Sequence, residues 1–309
     1  MLAGHAALAF VQLCFGMMPI FGKWAFAPGG FEPLSIAIWR MGVGATVLGT
    51  LALARYGKRA LVPRADLGRA LACAFLGIVF NQALYLEGLS RTSAIQAGLL
   101  TCLIPVFTFV VASACGQERF RWTRAVGVLV ALAGAAPLFV ARGARLEVSG
   151  GSFFLAGSSI VYAAYLVSSK PLLTRHPPLV VLAWVYVLSL PGALFFAVFA
   201  ARWQVMPADP SSSHAWLALA AILVFPTIVA YLLNLFALAR VRASTTAIYV
   251  YAQILITATA STLLLDERPT SGILRAAVLL CLGIWLVARR PPRALSLPVA
   301  SVPESATNS

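Results

Sequence analysis

Charge is scarce in this chain: Asp, Glu, Lys and Arg make up 10% of its 309 residues. A soluble domain carries about 25% charged residues, so a water-exposed surface of ordinary size is excluded. Period-2 alternation in pieces of about ten residues is missing too, which excludes a transmembrane β-barrel. Metal-ligand and CxxC spacings are absent. The five cysteines, Cys14, Cys73, Cys102, Cys115 and Cys281, fall in or at the ends of apolar runs and read as small buried apolar residues. The three histidines, His5, His176 and His214, are scattered near run ends. No HExxH, P-loop or nucleophile elbow occurs. Catalysis therefore has no candidate residues, and neither a metal nor another cofactor is called for. Without a nucleotide site, any transport would draw on an ion or solute gradient.

What the chain has instead is apolar length: 61% of its residues are hydrophobic. Runs of about 20 apolar residues match the hydrocarbon thickness of a bilayer when helical. Ten can be counted, at roughly 3–22, 33–54, 68–88, 92–115, 123–141, 151–169, 178–201, 215–237, 243–265 and 273–288. Short connections separate them, punctuated by Pro28-Gly29-Gly30, Pro63, Gly143, Gly150-Gly151, Pro177-Pro178 and Pro207 to Pro210. No Lys or Arg precedes the first run, which continues to about Phe21, so it reads as a retained helix rather than a cleaved signal. The expected fold is all-α and integral to the membrane. The tail 291–309, rich in Pro, Ser and Ala, cannot bury enough apolar surface to order itself.

The net charge is +14. Its basic residues sit in short clusters between apolar runs, facing lipid headgroups, and build no nucleic-acid-binding face. Of the 23 Lys and Arg, fifteen fall in loops that are inside when the N-terminus is inside, seven fall outside, and Arg40 lies within a span. That bias places both termini in the cytoplasm of a bacterial-type cell, with the chain in the inner membrane.

The two halves repeat one another. Phe15 and Lys23 match Tyr162 and Lys170, and Pro33-Leu34 with Trp39 matches Pro178-Leu179 with Trp184. Leu86 to Ala94 matches Leu235 to Ala243, Glu118-Arg119 matches Glu267-Arg268, and Gly134 matches Gly283. The offset stays between 145 and 149 throughout. Five helices per unit is an odd number, so the second unit (151–290) would enter the membrane upside down relative to the first (3–141). Inverted repeats of this kind are a recurring transporter architecture, with the substrate near the midplane.

These residues resemble the EamA family of the drug/metabolite transporter superfamily. The resemblance rests on Ala94 to Glu118 with Pro105 in mid-helix, Gln117-Glu118-Arg119, Asp266-Glu267-Arg268, Arg40, and Asn81 to Tyr85 with Gly88-Leu89. One departure is Ile254, which stands where the first half has Pro105. The resemblance implies ten helices in two inverted five-helix repeats and export or exchange of metabolites, with the substrate left open.

Among single residues, Arg40 lies about 10 Å inside span two, seven residues at 1.5 Å each. It reads either as an anion contact in a hydrated cavity or as a brace bonded to neighbouring helices. Asn81, Gln82, Gln96, Asn234 and Gln253, with Tyr85, Tyr162, Tyr165, Tyr231, Tyr249 and Tyr251, are polar groups within spans. They face the bundle interior as interhelical bonds or as a substrate-lining set drawn from both halves. Glu87 is a candidate for proton coupling, with a surface ion pair to Arg91 as the other reading. Glu118 and Glu267 read as carboxylates at helix N-termini. Pro19, Pro105, Pro191 and Pro226 are kinks or hinges. The expected function is secondary export of a small polar metabolite, an amino acid or a related compound. An uptake permease or a multidrug exporter of the same fold is the alternative. A membrane-embedded sensor or enzyme would need an output domain or clustered ligands, neither of which is seen.

Overall fold

The computed structural model describes residues 2–117, 122–136, 150–200, 205–238, 243–269 and 271–288. They are mostly helical, with no strand among them, and the apolar runs are the reason. In hydrocarbon each backbone N–H and C=O must bond within its own segment, which a helix achieves. The first half contains α1 (Leu2–Ala25), α2 (Pro33–Tyr56), α3 (Arg64–Ala74), α4 (Asn81–Ser90), α5 (Ala94–Thr101), α6 (Ile104–Ala114) and α7 (Trp122–Ala135). The second contains α8 (Gly150–Leu173), α9 (Pro178–Val187), α10 (Leu190–Phe195), α11 (Ser213–Ile222), α12 (Ala230–Leu238), α13 (Ala243–Leu264) and α14 (Ser271–Ala288). Seven continuous helical stretches among the described residues are long and apolar enough to cross a membrane. The helices α7, α13 and α14 contain shorter apolar stretches, 125–135, 252–264 and 271–283.

The joins inside these stretches are informative. A π-helical turn over Phe75–Phe80 fuses α3 to α4, and one over Leu223–Val229 fuses α11 to α12. The two turns occupy matching places in the repeat. Such turns are rare and gather at functional positions. Pro105 sits in the first turn of α6, which restarts after a tight bend at Cys102-Leu103. In the matching place, around Ile254, α13 runs unbroken. Pro191 restarts α10 in the same manner, whereas Pro19 leaves α1 continuous.

Packing follows the repeat. Helix α1 packs on α11, α12 and α13, while its counterpart α8 packs on α3, α4, α5 and α6. The pairs α2 with α9, α5 with α13 and α7 with α14 join repeat-matched elements to each other. At the last pair, a Cβ on Gly134 would press on Leu279 and Leu280, and one on Gly283 on Ala131. The offset of 149 converts one contact into the other, as a two-fold relation requires.

Two groups of loops and helix ends meet separately. In one, the backbone N–H of Ala208 and Asp209 donates to the carbonyls of Gly30 and Gly29 at 2.9 and 2.8 Å, and Trp39 Nε1 donates to Val205 at 2.8 Å. Gly29, at φ +80°, makes the turn. Bonds from the Ser211 hydroxyl and N–H hold the Asp209 carboxyl below the usual range. Helix ends at Gly88 and Gly151 touch in the same group. In the other group, Asp66 bonds Arg175 at 3.1 Å and His176 at 2.8 Å, Trp184 Nε1 donates to the Ala60 carbonyl, and Gln117 Nε2 donates to the Val167 carbonyl.

Candidate functional site

The polar residues of the interior separate into two kinds. One kind bolts helices together. Asn81 Nδ2 donates to the Ser158 carbonyl at 3.0 Å, Gln96 Nε2 to Ser152 Oγ at 3.1 Å, and Ser159 Oγ to the Leu100 carbonyl at 3.1 Å. All three fasten α8 to the first half. Thr257 Oγ1, donating to the Gly16 carbonyl at 2.8 Å, fastens α13 to α1. Asn81 and Gln96 are thus held by helix–helix bonds.

The second kind converges on Arg40. Its side chain is 7% exposed. Nε donates to Thr227 Oγ1 at 3.1 Å, and Nη1 lies 4.0 Å from Met18 Sδ. Thr227 belongs to the second π-helical turn, and its place there has a physical origin. Pro226 has no N–H, so in a regular α-helix the Ile222 carbonyl would lack a partner. Thr227 Oγ1 donates to that carbonyl at 2.8 Å and accepts from Arg40 in return. Thr227 thereby ties the irregular turn of the second half to the guanidinium of the first.

Tyrosines surround this pair. Tyr85 of α4 and Tyr186 of α9 lie within electrostatic range of Arg40. Tyr231 of α12 lies within the same range of Tyr162, Tyr165 and Tyr186. Tyr231 meets Tyr186 edge-on at 6.0 Å and Phe15 edge-on at 5.9 Å, and Tyr162 lies 5.4 Å from Tyr165. Two glycines make room. A Cβ on Gly44, one turn beyond Arg40, would strike the Tyr186 ring, and one on Gly77, in the first π-helical turn, would strike Tyr165. Tyr85, Tyr162 and Tyr165 lie deep among the helices, yet part of their surface stays uncovered. They border open space, whereas Tyr186 is packed in completely. The Tyr186 hydroxyl is close to Tyr231 without reaching hydrogen-bond geometry and has no partner among the described residues.

The structure therefore brings together Arg40, Tyr85, Tyr162, Tyr165 and Tyr231. Gln82 is buried on α4 with an unpartnered Oε1, and Asn234 and Gln253 are half-buried on α12 and α13. The Tyr249 and Tyr251 side chains and all of Glu118 lie outside the described residues. Glu87 forms a 2.7 Å ion pair with Arg91, whose guanidinium also stacks 4.8 Å from the Phe154 ring centre. The Glu267 carboxylate accepts from the backbone N–H of Ala94 and Ile95 at 2.8 and 3.0 Å. It sits at the N-terminus of α5 in the other half, not at that of α14, the helix that follows it. Lys23 is near enough to act on it electrostatically.

Sequence reasoning missed Tyr186, Thr227 and Met18. A signal for the first was available, since Tyr186 follows Val185, the repeat counterpart of Arg40. Thr227 and Met18 carry no such mark.

Comparison with known proteins bears on the repeat and the fold. The profile of the EamA-like transporter family matches residues 2–140 and again 149–289. A protein of Streptantibioticus cattleyicolor, named as a probable terminal-alkyne amino-acid exporter, is 28% identical over 84% of this chain and 86% of its own length. An uncharacterized transporter of Archaeoglobus fulgidus is 24% identical over 84% of this chain and 90% of its own length. A crystal structure 20% identical to the chain has the same fold, with a TM-score of 0.63 over 93% of this chain and 98% of that one.

Proposed function

The chain belongs to the EamA-like transporter family, and from that premise we propose that it exports a small polar metabolite, an amino acid or a related compound, by alternating access. It is an integral membrane transporter and not an enzyme. Ten helical spans form two inverted repeats, both termini face the cytoplasm of a bacterial-type cell, and a gradient drives the solute across its inner membrane.

One observation carries the reading: buried Arg40 of the first half donates to Thr227 of the second, beside Tyr231, which packs edge-on against Tyr186 at 6.0 Å and against Phe15 of the first half at 5.9 Å. A polar site shared between two repeats is where an alternating-access carrier holds its solute. The exporter name of the Streptantibioticus relative favours an amino acid and the outward direction. The ten-span count is supported by the loops, because the two groups that meet separately are those that ten alternating crossings would place on opposite faces. Coupling to proton entry through Glu87 belongs to the same proposal.

The test is solute counterflow in proteoliposomes. Vesicles containing the protein should exchange a labelled amino acid faster than empty vesicles, and saturably. Expression in intact cells should lower the accumulation of that solute. Exchange with raised accumulation would reverse the direction. Correctly folded protein that moves no amino acid, nucleoside, sugar or amine would remove the carrier reading.

A further inference from the structure

Arg40 poses an electrostatic problem that the chain leaves open. A guanidinium stays protonated at any physiological pH, and this one is 7% exposed in a membrane-spanning helix. Buried charges are ordinarily paired, because leaving water without a counter-charge is costly. No carboxylate among the described residues forms an ion pair with Arg40; of those with partners, Asp66 is taken by Arg175 and His176, Glu87 by Arg91, and Asp209 by Ser211, and Glu267 bonds the α5 backbone. The bonds it does make, to the Thr227 hydroxyl and the Met18 sulfur, are to neutral groups and use Nε and one Nη1 position. The two-pronged Nη edge, the part of an arginine that fits a carboxylate, has no oxygen partner among the described residues.

A second observation stands beside it. The Tyr186 hydroxyl is fully buried within electrostatic range of Arg40 and has no hydrogen-bond partner among the described residues. A buried donor without an acceptor is unusual in a native structure. The Arg40 Nη edge, without an oxygen acceptor, and the buried Tyr186 hydroxyl, without an acceptor among the described residues, thus lie together in the cluster that holds the Tyr231 ring.

We propose that the missing counter-charge is the substrate: this site takes an organic monocarboxylate with a flat apolar or aromatic body. The carboxylate is held by the Arg40 guanidinium and the Tyr186 hydroxyl, and the body lies among Tyr85, Tyr162, Tyr165 and Tyr231. This rests on the carrier reading above and adds the charge class to it.

A matched set of probes tests the charge: 3-phenylpropionate, L-phenylalanine, 3-phenylpropanamide and 3-phenylpropylamine, added to the protein in nanodiscs with thermal melting and tyrosine fluorescence as readouts. The two carboxylates should stabilise the protein, because a ligand raises the stability of the state it binds. The amide and the amine should not. Arg40→Gln should abolish that response and Arg40→Lys should weaken it, since an ammonium offers no fork. Tyr186→Phe should weaken carboxylate binding about tenfold, which corresponds to one charge-assisted hydrogen bond. Arg40→Met supplies a readout that a purely bracing role would not give: the ligand-free protein should melt at a higher temperature, because an unpaired buried charge has been removed. Stabilisation by the amine or amide equal to that by the carboxylates would overturn the proposal. So would carboxylate binding that survives Arg40→Gln, no response to either carboxylate, or a lowered melting temperature in Arg40→Met. Counterflow of cations or neutral solutes alone would overturn it while leaving the carrier itself standing.

Discussion

At the scale of single residues, the interior shows how little polar chemistry a bilayer-embedded chain keeps unless a residue is used. Glu87 is the case where two uses compete. Its 2.7 Å pair with Arg91 is an i,i+4 bridge near a helix end, with the two side chains 23% and 53% exposed. An ion pair that exposed contributes little to stability, about 0.3–0.5 kcal/mol. Glu87→Gln should therefore leave the thermal unfolding midpoint nearly unchanged. If Glu87 couples export to proton entry, the same variant should lose the pH dependence of counterflow, since Gln cannot take up a proton. Unchanged pH dependence would reduce Glu87 to the ion pair. Gly44 is a residue of another kind, important for what it lacks. A methyl there would strike the Tyr186 ring, so Gly44→Ala should push that ring off α2 and impair solute exchange. Its stability loss should be about 1–3 kcal/mol, the usual range for overpacking. Melting and counterflow on one preparation would show both effects. A variant with wild-type exchange would place Tyr186 outside the transport path.

At the scale of elements, the positions of the helices were legible and their joins were not. Apolar length marks a membrane helix directly, so runs such as 33–54 and 178–201 fall on helical stretches, their ends shifted by a few residues. The break beside Pro105 and its absence around Ile254 agree with the N–H that a proline removes, although Pro19 leaves α1 unbroken. The π-helical turn at Leu223–Val229 contains Pro226, but its counterpart at Phe75–Phe80 contains no proline. Nothing local in the latter sequence distinguishes it from an α-helix. The Glu267 contact was half legible. A carboxylate beside a turn points to a helix N-terminus, yet the helix it caps begins 173 residues earlier. No spacing rule reaches that far. Because Glu267 satisfies two backbone donors of α5 and adds charge to the positive helix end, Glu267→Ala should cost about 1–2 kcal/mol. Glu267→Gln should cost less, since its amide oxygen can still accept. Equal losses in the two variants would mean that the carboxylate acts on Lys23 and not on α5. The crossing of α7 and α14 gives a second test at this scale. Gly134→Ala and Gly283→Ala each place a methyl against the partner helix at related points. Their losses should be similar, and the double variant should depart from additivity by at least about 0.5 kcal/mol, as neighbours in one contact do.

At the scale of the whole molecule, the repeat legible in the sequence reappears as a pattern of neighbours. α1 is to the second half what α8 is to the first, and the matched pairs α2 with α9 and α7 with α14 lie on the relation itself. Two interlocked halves of this kind have a consequence for topology that the loop contacts sharpen. The turn at Gly29-Gly30 is bonded to Ala208 and Asp209, so these loops share one face. Asp66, bonded to Arg175 and His176, belongs to the other. Lys58 lies in the turn just before Asp66, and Ser211 just after Asp209, and both are exposed. Cysteine placed at Ser211 should react with an impermeant maleimide added outside intact cells. Cysteine placed at Lys58 should react only after the membrane is opened. Cys14, Cys73 and Cys102 are buried, and replacing the exposed Cys115 and the partly exposed Cys281 would keep the background low. Labelling of both positions from the same side would break the alternation on which the inverted arrangement rests, because two five-helix halves can lie upside down to one another only if these loops emerge on opposite faces.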